Sequence, residues 1–130
     1  MDSQGLESGP FANCRLLTGG TQNLLFRFSR GSRSYVLRQP PHSGGDRANE
    51  TMRREARVLG ALAGTSVPHA GLIAACSNPD VLGAAFYLME PMDGFDAFSG
   101  LPARHAASPD IRRRMGFALA EAAADLGNLD

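Results

Sequence analysis

The sequence predicts an α+β fold, a five-stranded antiparallel sheet with one packed helix, followed by a further helix near the C-terminus. Three observations support this. Strand-like runs and one helical run follow in the order β-β-β-α-β-β, separated by glycine, proline and asparagine turns. The stretch Asp46–Ala63 repeats apolar residues (Ala48, Met52, Leu59 and Leu62) at three- and four-residue steps. Ser108-Pro109-Asp110 marks a helix start, with a capping serine, a proline at the first position and an acid in the first turn. The expected division is a disordered lead-in at 1–10, a sheet-and-helix domain at 11–92, a linker at 93–107 and a final helix at 108–130.

Phe11–Leu17 reads as the first strand, and Thr18-Gly19-Gly20-Thr21-Gln22-Asn23 as a glycine turn. In Leu24–Arg30, Leu24, Phe26 and Phe28 alternate with Leu25, Arg27 and Ser29, as a pleated strand requires. Gly31-Ser32 reverses the chain, and Ser34–Arg38 returns as the third strand. Pro40-Pro41 ends it, because proline cannot donate to a ladder. Asp46 is the expected N-cap of the helix and Gly64 its terminating glycine. Leu72–Cys76 is a short apolar strand, Asn78-Pro79-Asp80 a turn and Ala84–Glu90 the fifth strand. In the last segment Ile111, Met115, Ala118, Leu119, Ala122 and Leu126 form one stripe, which Gly127 can terminate.

With 130 residues, 43% of them apolar, the chain is one ordinary globular domain at most. Its zero formal charge gives no sign of nucleic acid or an anionic membrane as a partner. There is no basic, apolar leader of the secretory kind, and no apolar run nears the ~20 residues that span a bilayer. The expected location is cytoplasmic. Cys14 and Cys76 lie in predicted strands without metal-ligand or redox spacing and are expected to be reduced core thiols. All thirteen basic residues are arginine, so any phosphate-binding cation must be a guanidinium, which grips oxyanions as a planar fork.

One carboxylate breaks the apolar pattern. Glu55 falls on the helical stripe between Met52 and Leu59, and an acid on a buried face is costly unless a cation meets it. Arg38, closing the third strand, is the best upstream candidate; its alternative is a solvated surface arginine. Arg38 shares a strand face with Val36, a pairing that suits a nucleotide cleft, with the small apolar residue against adenine and the cation on phosphate. A glycine pair between strands is ordinarily a hairpin, but Thr18, Thr21, Gln22 and Asn23 add polar groups to a backbone that could approach phosphate. Met89-Glu90-Pro91-Met92 ends the fifth strand where an adenine-binding hinge would lie. Glu90 would offer its carbonyl and Met92 its N–H, and Pro91 occupies the position where no N–H is needed. Arg112-Arg113-Arg114 fan around a helix and cannot form one tight pocket. His42, His69 and His105 lack ligand spacing, and no metal site is expected.

Together, Gly19-Gly20-Thr21-Gln22-Asn23, Tyr35-Val36-Leu37-Arg38-Gln39-Pro40-Pro41, Arg54-Glu55-Ala56-Arg57-Val58-Leu59 and Phe86-Tyr87-Leu88-Met89-Glu90 resemble the aminoglycoside phosphotransferase family, which has a protein-kinase-like fold. The arginine form of the strand resembles the branch related to kinase-like domains of acyl-CoA dehydrogenase proteins. The resemblance implies an ATP-binding N-lobe. Gly19–Asn23 would form the phosphate loop, Arg38 the phosphate cation, Glu55 its partner, and Glu90 and Met92 the hinge. It also implies transfer of the ATP γ-phosphate to a hydroxyl in the parent enzyme. The family's H-G-D…N loop and later metal-binding aspartate, which belong to the C-lobe, have no counterpart here, so Mg²⁺ would find its ligands only there. The expectation is therefore a truncated fragment, without catalytic residues of its own, that ends on the first helix of the C-lobe. The alternative is a non-catalytic nucleotide-binding or protein-interaction module, with the C-lobe or another polypeptide covering its exposed apolar surface.

Overall fold

The computed structural model describes residues 5–17 and 23–129, the side chain of His42 excepted. The strands are β1 (Phe11–Leu17), β2 (Leu24–Arg30), β3 (Arg33–Gln39), β4 (Leu72–Cys76) and β5 (Phe86–Met89). Helix α1 (Gly45–Leu62) follows β3, and α2 (Ala103–Ala107) and α3 (Pro109–Gly127) follow β5. The sheet order is β1-β2-β3-β5-β4. Every neighbouring pair is antiparallel, with β5 inserted between β3 and β4. Residues up to Ala63 together with Ala70–Pro91 form one compact unit, and Gly64–His69 with the residues from Met92 onward form another.

Directly paired residues point to the same side of a sheet, so the register sorts the first unit's side chains. Phe28 lies opposite Tyr35, and Leu37 opposite Leu88. Phe28, Tyr35 and Leu88 form the core of one face, with Leu6, Leu37, Ile73 and Ala74 packed on it. The Phe28 and Tyr35 rings stack with centroids 5.4 Å apart. Leu25, Arg38 and Tyr87 align across the other face, as do Arg27, Val36 and Met89. There Met52 and Ala56 of α1 pack with Ala85 and Tyr87.

Helix α1 is also held by polar ties. Asn49 is buried, and its Oδ1 accepts a hydrogen bond from the Ala85 N–H at 2.9 Å. Arg53 donates to the Ser77 carbonyl just beyond β4, at 2.9 Å from Nη2 and 3.3 Å from Nε. The helix starts one residue before Asp46 and has no side-chain cap, so Asp46 sits in the first turn and is not the N-cap. Gly64 does take up the left-handed conformation (φ +79°) after the C-cap Ala63.

Residues 5–10, expected as a frayed lead-in, are tied down. Glu7 crosses the β2–β3 hairpin: its Oε2 accepts from the backbone N–H groups of Ser32 (2.7 Å) and Arg33 (3.1 Å), and its Oε1 from the Ser32 hydroxyl (2.9 Å). The Ser32 hydroxyl is the main cause holding this carboxyl below its usual range. The φ of +59° at Gly31 favours glycine, and a Cβ there would displace the Glu7 carboxylate that lies against it. Cys14 is exposed, so it is not a core thiol, and both cysteines are free. The segment expected as a linker contains α2. In α3 the Ser108 hydroxyl accepts from the Ile111 N–H at 3.3 Å, the predicted cap. Among the described residues, no helix is long and apolar enough to cross a membrane.

Replacing Asn49 by alanine strands a buried N–H, so Asn49→Ala should lower the unfolding free energy by about 1–3 kcal/mol in a denaturant titration. The Tyr35 hydroxyl, by contrast, is buried without a hydrogen-bond partner among the described residues. Tyr35→Phe should therefore leave stability unchanged or raise it, and a clear loss would reveal a partner for that hydroxyl.

Candidate functional site

Antiparallel pairing places Arg38 of β3 directly opposite Tyr87 of β5, on the face that α1 covers. Glu55 projects from α1 onto both. Arg38 Nη2 donates to Glu55 Oε1 at 3.2 Å, and Arg38 Nε lies 3.0 Å from Oε2, close enough for an ion pair but off the line of a hydrogen bond. The Tyr87 hydroxyl donates to Oε2 at 3.1 Å. One carboxylate therefore joins the central strands to the helix.

Burial decides how strong this join is. The Arg38 and Glu55 side chains are 28% and 29% exposed, so the acid sits on the shoulder of the helix's buried face and not at its centre. Water screens such a pair in part, which places it between an exposed bridge and a sealed one. Tyr87 is deeper. Burial pushes its phenol up to about 12, the Glu55 carboxylate adds to that rise, and the Arg38 guanidinium opposes it. The phenol is thus a fixed hydrogen-bond donor at neutral pH. Sequence reasoning missed Tyr87; the signal was its polar tip in the run Phe86-Tyr87-Leu88-Met89, but the register that aims it at Glu55 is a long-range property.

A hollow of about 330 Å³ opens beside the pair, lined by Asn23, Arg38, Arg47, Thr51 and Glu55 together with the Pro40-Pro41 and Gly44 backbone bend. Asn23, the last residue of the glycine turn, is thereby brought to Arg38 and Glu55. Gly19, Gly20, Thr21 and Gln22 lie outside the described residues. Val36 and Met89 form the neighbouring cross-strand pair on the same face as Arg38; Val36 is only 3% exposed, and Met89 is half-buried. Glu90 commits its N–H to the Gly71 carbonyl at 2.8 Å, and its carboxylate pairs with Arg33 at 3.3 Å. Met92 is 66% exposed and belongs to the other unit.

A more apolar hollow of the first unit, about 470 Å³, lies between α1 and the β4–β5 edge, against Met52, Ala56, Gly60, Leu72, Ala75 and Phe86. Its polar lining is Cys76, Ser77 and two arginines, Arg53 and Arg57, which share Glu50. Among the described residues, no three His, Cys, Asp or Glu side chains cluster closely enough to hold a metal ion.

Breaking the join should cost less than breaking a sealed one. Glu55→Ala is expected to lower stability by about 1–2 kcal/mol, against about 3–5 for a fully buried pair. The chain has two tyrosines, so in a Tyr35→Phe background Tyr87 titrates alone. There Glu55→Gln should move the phenol's spectrophotometric midpoint downward from about 12. An unmoved midpoint would mean that Glu55 does not hold the hydroxyl.

The model of the phosphotransferase enzyme family matches residues 13–130. Acyl-CoA dehydrogenase family member 11 of Rattus norvegicus is 36% identical over 114 residues, covering 85% of this chain and 14% of the relative. The Arabidopsis thaliana protein named probable acyl-CoA dehydrogenase IBR3 is 34% identical over 116 residues, with the same coverage of each chain. A crystal structure from Ralstonia eutropha, assigned as an aminoglycoside phosphotransferase, superposes with a TM-score of 0.54 at 35% identity, over 68% of this chain and 24% of its own. The chain thus spans about a seventh of the length of these curated relatives. With its mixed sheet-and-helix unit, it belongs to the phosphotransferase enzyme family.

Proposed function

We propose that this chain is the nucleotide-binding portion of a small-molecule phosphotransferase, a protein in which ATP gives its γ-phosphate to a substrate hydroxyl. The observation that carries the reading is the Arg38–Glu55 pair, fixed by Tyr87 at the mouth of a polar hollow. Donor chemistry supports the fit: a guanidinium held in one orientation by a carboxylate is preorganised for phosphate oxygens, and Asn23 brings the end of the glycine turn to the same place.

In this reading ATP supplies the transferable phosphoryl group. Arg38 binds phosphate, Glu55 orients Arg38, and Tyr87 donates to one Glu55 oxygen, which holds the carboxylate in place. Gly19, Gly20, Thr21, Gln22 and Asn23 would line the phosphates. The base would rest chiefly on Met89, since Val36 is already covered, and the Glu90 carbonyl would read its edge. No residue here is assigned to accept the hydroxyl proton or to hold Mg²⁺, so turnover needs a C-lobe carrying those groups. Its docking surface would include the exposed Leu119 and Leu126, seven residues apart on one face of α3 and 73% and 53% exposed. The same exposed face supports the second reading, a non-catalytic nucleotide-binding module that docks onto another polypeptide.

Calorimetric titration with ATP, joined to an ATP-consumption assay over a panel of hydroxylated acceptors, tests both. Binding without turnover is expected, with Arg38→Met weakening ATP by about tenfold or more. Absence of binding would remove the nucleotide reading, and sustained acceptor-dependent turnover would show that the chain carries its own catalytic groups.

A further inference from the structure

We infer that Arg47 is a second phosphate-binding guanidinium of this hollow, selecting a triphosphate over shorter phosphate chains. The inference rests on the nucleotide reading above and goes one residue further. Arg38 and Glu55 cancel one another's charge, so those two groups alone leave the hollow neutral toward a polyanion. Arg47 lines the same hollow and restores a net positive charge.

Its surroundings leave it available. Arg33, Arg38, Arg53 and Arg57 each meet a carboxylate, whereas the Arg47 side chain, among the described residues, forms no ion pair or hydrogen bond. Thr51 uses only its backbone carbonyl. Asp46 precedes Arg47 in the helix, and Glu50, one turn on, shares a depression with Arg47, but its two oxygens are taken by Arg53 (3.4 Å) and Arg57 (3.1 Å). Helical spacing puts Arg47 eight residues before Glu55, about 12 Å along the axis. A long arginine side chain and a chain of phosphates can together cover that interval. The ligand class is therefore an extended polyphosphate whose inner oxygens meet Arg38 and whose terminal oxygens meet Arg47. Bidentate geometry favours arginine over lysine at such a position.

The test titrates ATP, ADP, AMP and inorganic tripolyphosphate calorimetrically into the wild-type chain and the Arg47→Ala and Arg47→Lys variants, with circular dichroism to confirm folding. Arg47→Ala should weaken ATP and tripolyphosphate by about tenfold while changing AMP by less than about twofold, and Arg47→Lys should recover only part of the loss. Wild-type binding of ATP that Arg47→Ala leaves unchanged would overturn this inference and spare the nucleotide reading. Tripolyphosphate binding that depends on Arg47, without any ATP preference over tripolyphosphate, would uphold the anion site and overturn the nucleotide reading. No binding of either probe would overturn both.

Discussion

A carboxylate shared between a guanidinium and a phenol is the constraint on which this structure turns. Glu55 brings together α1, the strand β3 that precedes it and the more distant β5. The arrangement is costly, since each group gives up part of its hydration, and the return is geometric: the rotamers of Arg38 and Tyr87 and the azimuth of α1 are set at one point. Two other polar ties act further along the same helix, Asn49 on the Ala85 N–H and Arg53 on the Ser77 carbonyl. The helix also buries Met52, Ala56 and Leu62, with Leu59 packed against the Met52 and Ala56 cluster. Hydrogen bonds and charge add directional preferences that apolar contact lacks.

Much of this was legible from residue order, and the failures have physical causes. Strands β1, β2 and β4 fall where alternation and turn residues placed them, because a strand's period is a local property. The inward lean of Glu55 and its partnership with Arg38 were readable because an acid on an apolar stripe demands a cation. Tyr87 was not, since its role comes from standing opposite Arg38 across β3 and β5, and cross-strand register is not encoded within either segment. Asn49 was missed for a related reason: its value lies in the unsatisfied N–H of a strand start 36 residues away. Asp46 looked like a cap, but the tight turn at His42–Gly44 leads directly into the helix and brings its start forward.

The lead-in shows a different limit. Composition alone made residues 1–10 look unstructured, yet Leu6 packs on the face opposite α1 and Glu7 binds the hairpin backbone. A short polar segment gains order here from partners that a window of neighbouring residues cannot display. The two faces of the sheet are consequently covered by quite different means, one by a long helix and the other in part by a few residues of extended chain.

The exclusive use of arginine has a chemical consequence at this site. A guanidinium stays protonated and offers no nucleophilic lone pair, so reagents that acylate or carbamylate an amine beside a bound phosphate would find nothing to modify at Arg38. Amine-directed nucleotide analogues would pass over Arg38, and enzymatic acetylation of the kind that silences lysine has no foothold there. Only dicarbonyl reagents, which condense with guanidinium groups, would mark the position.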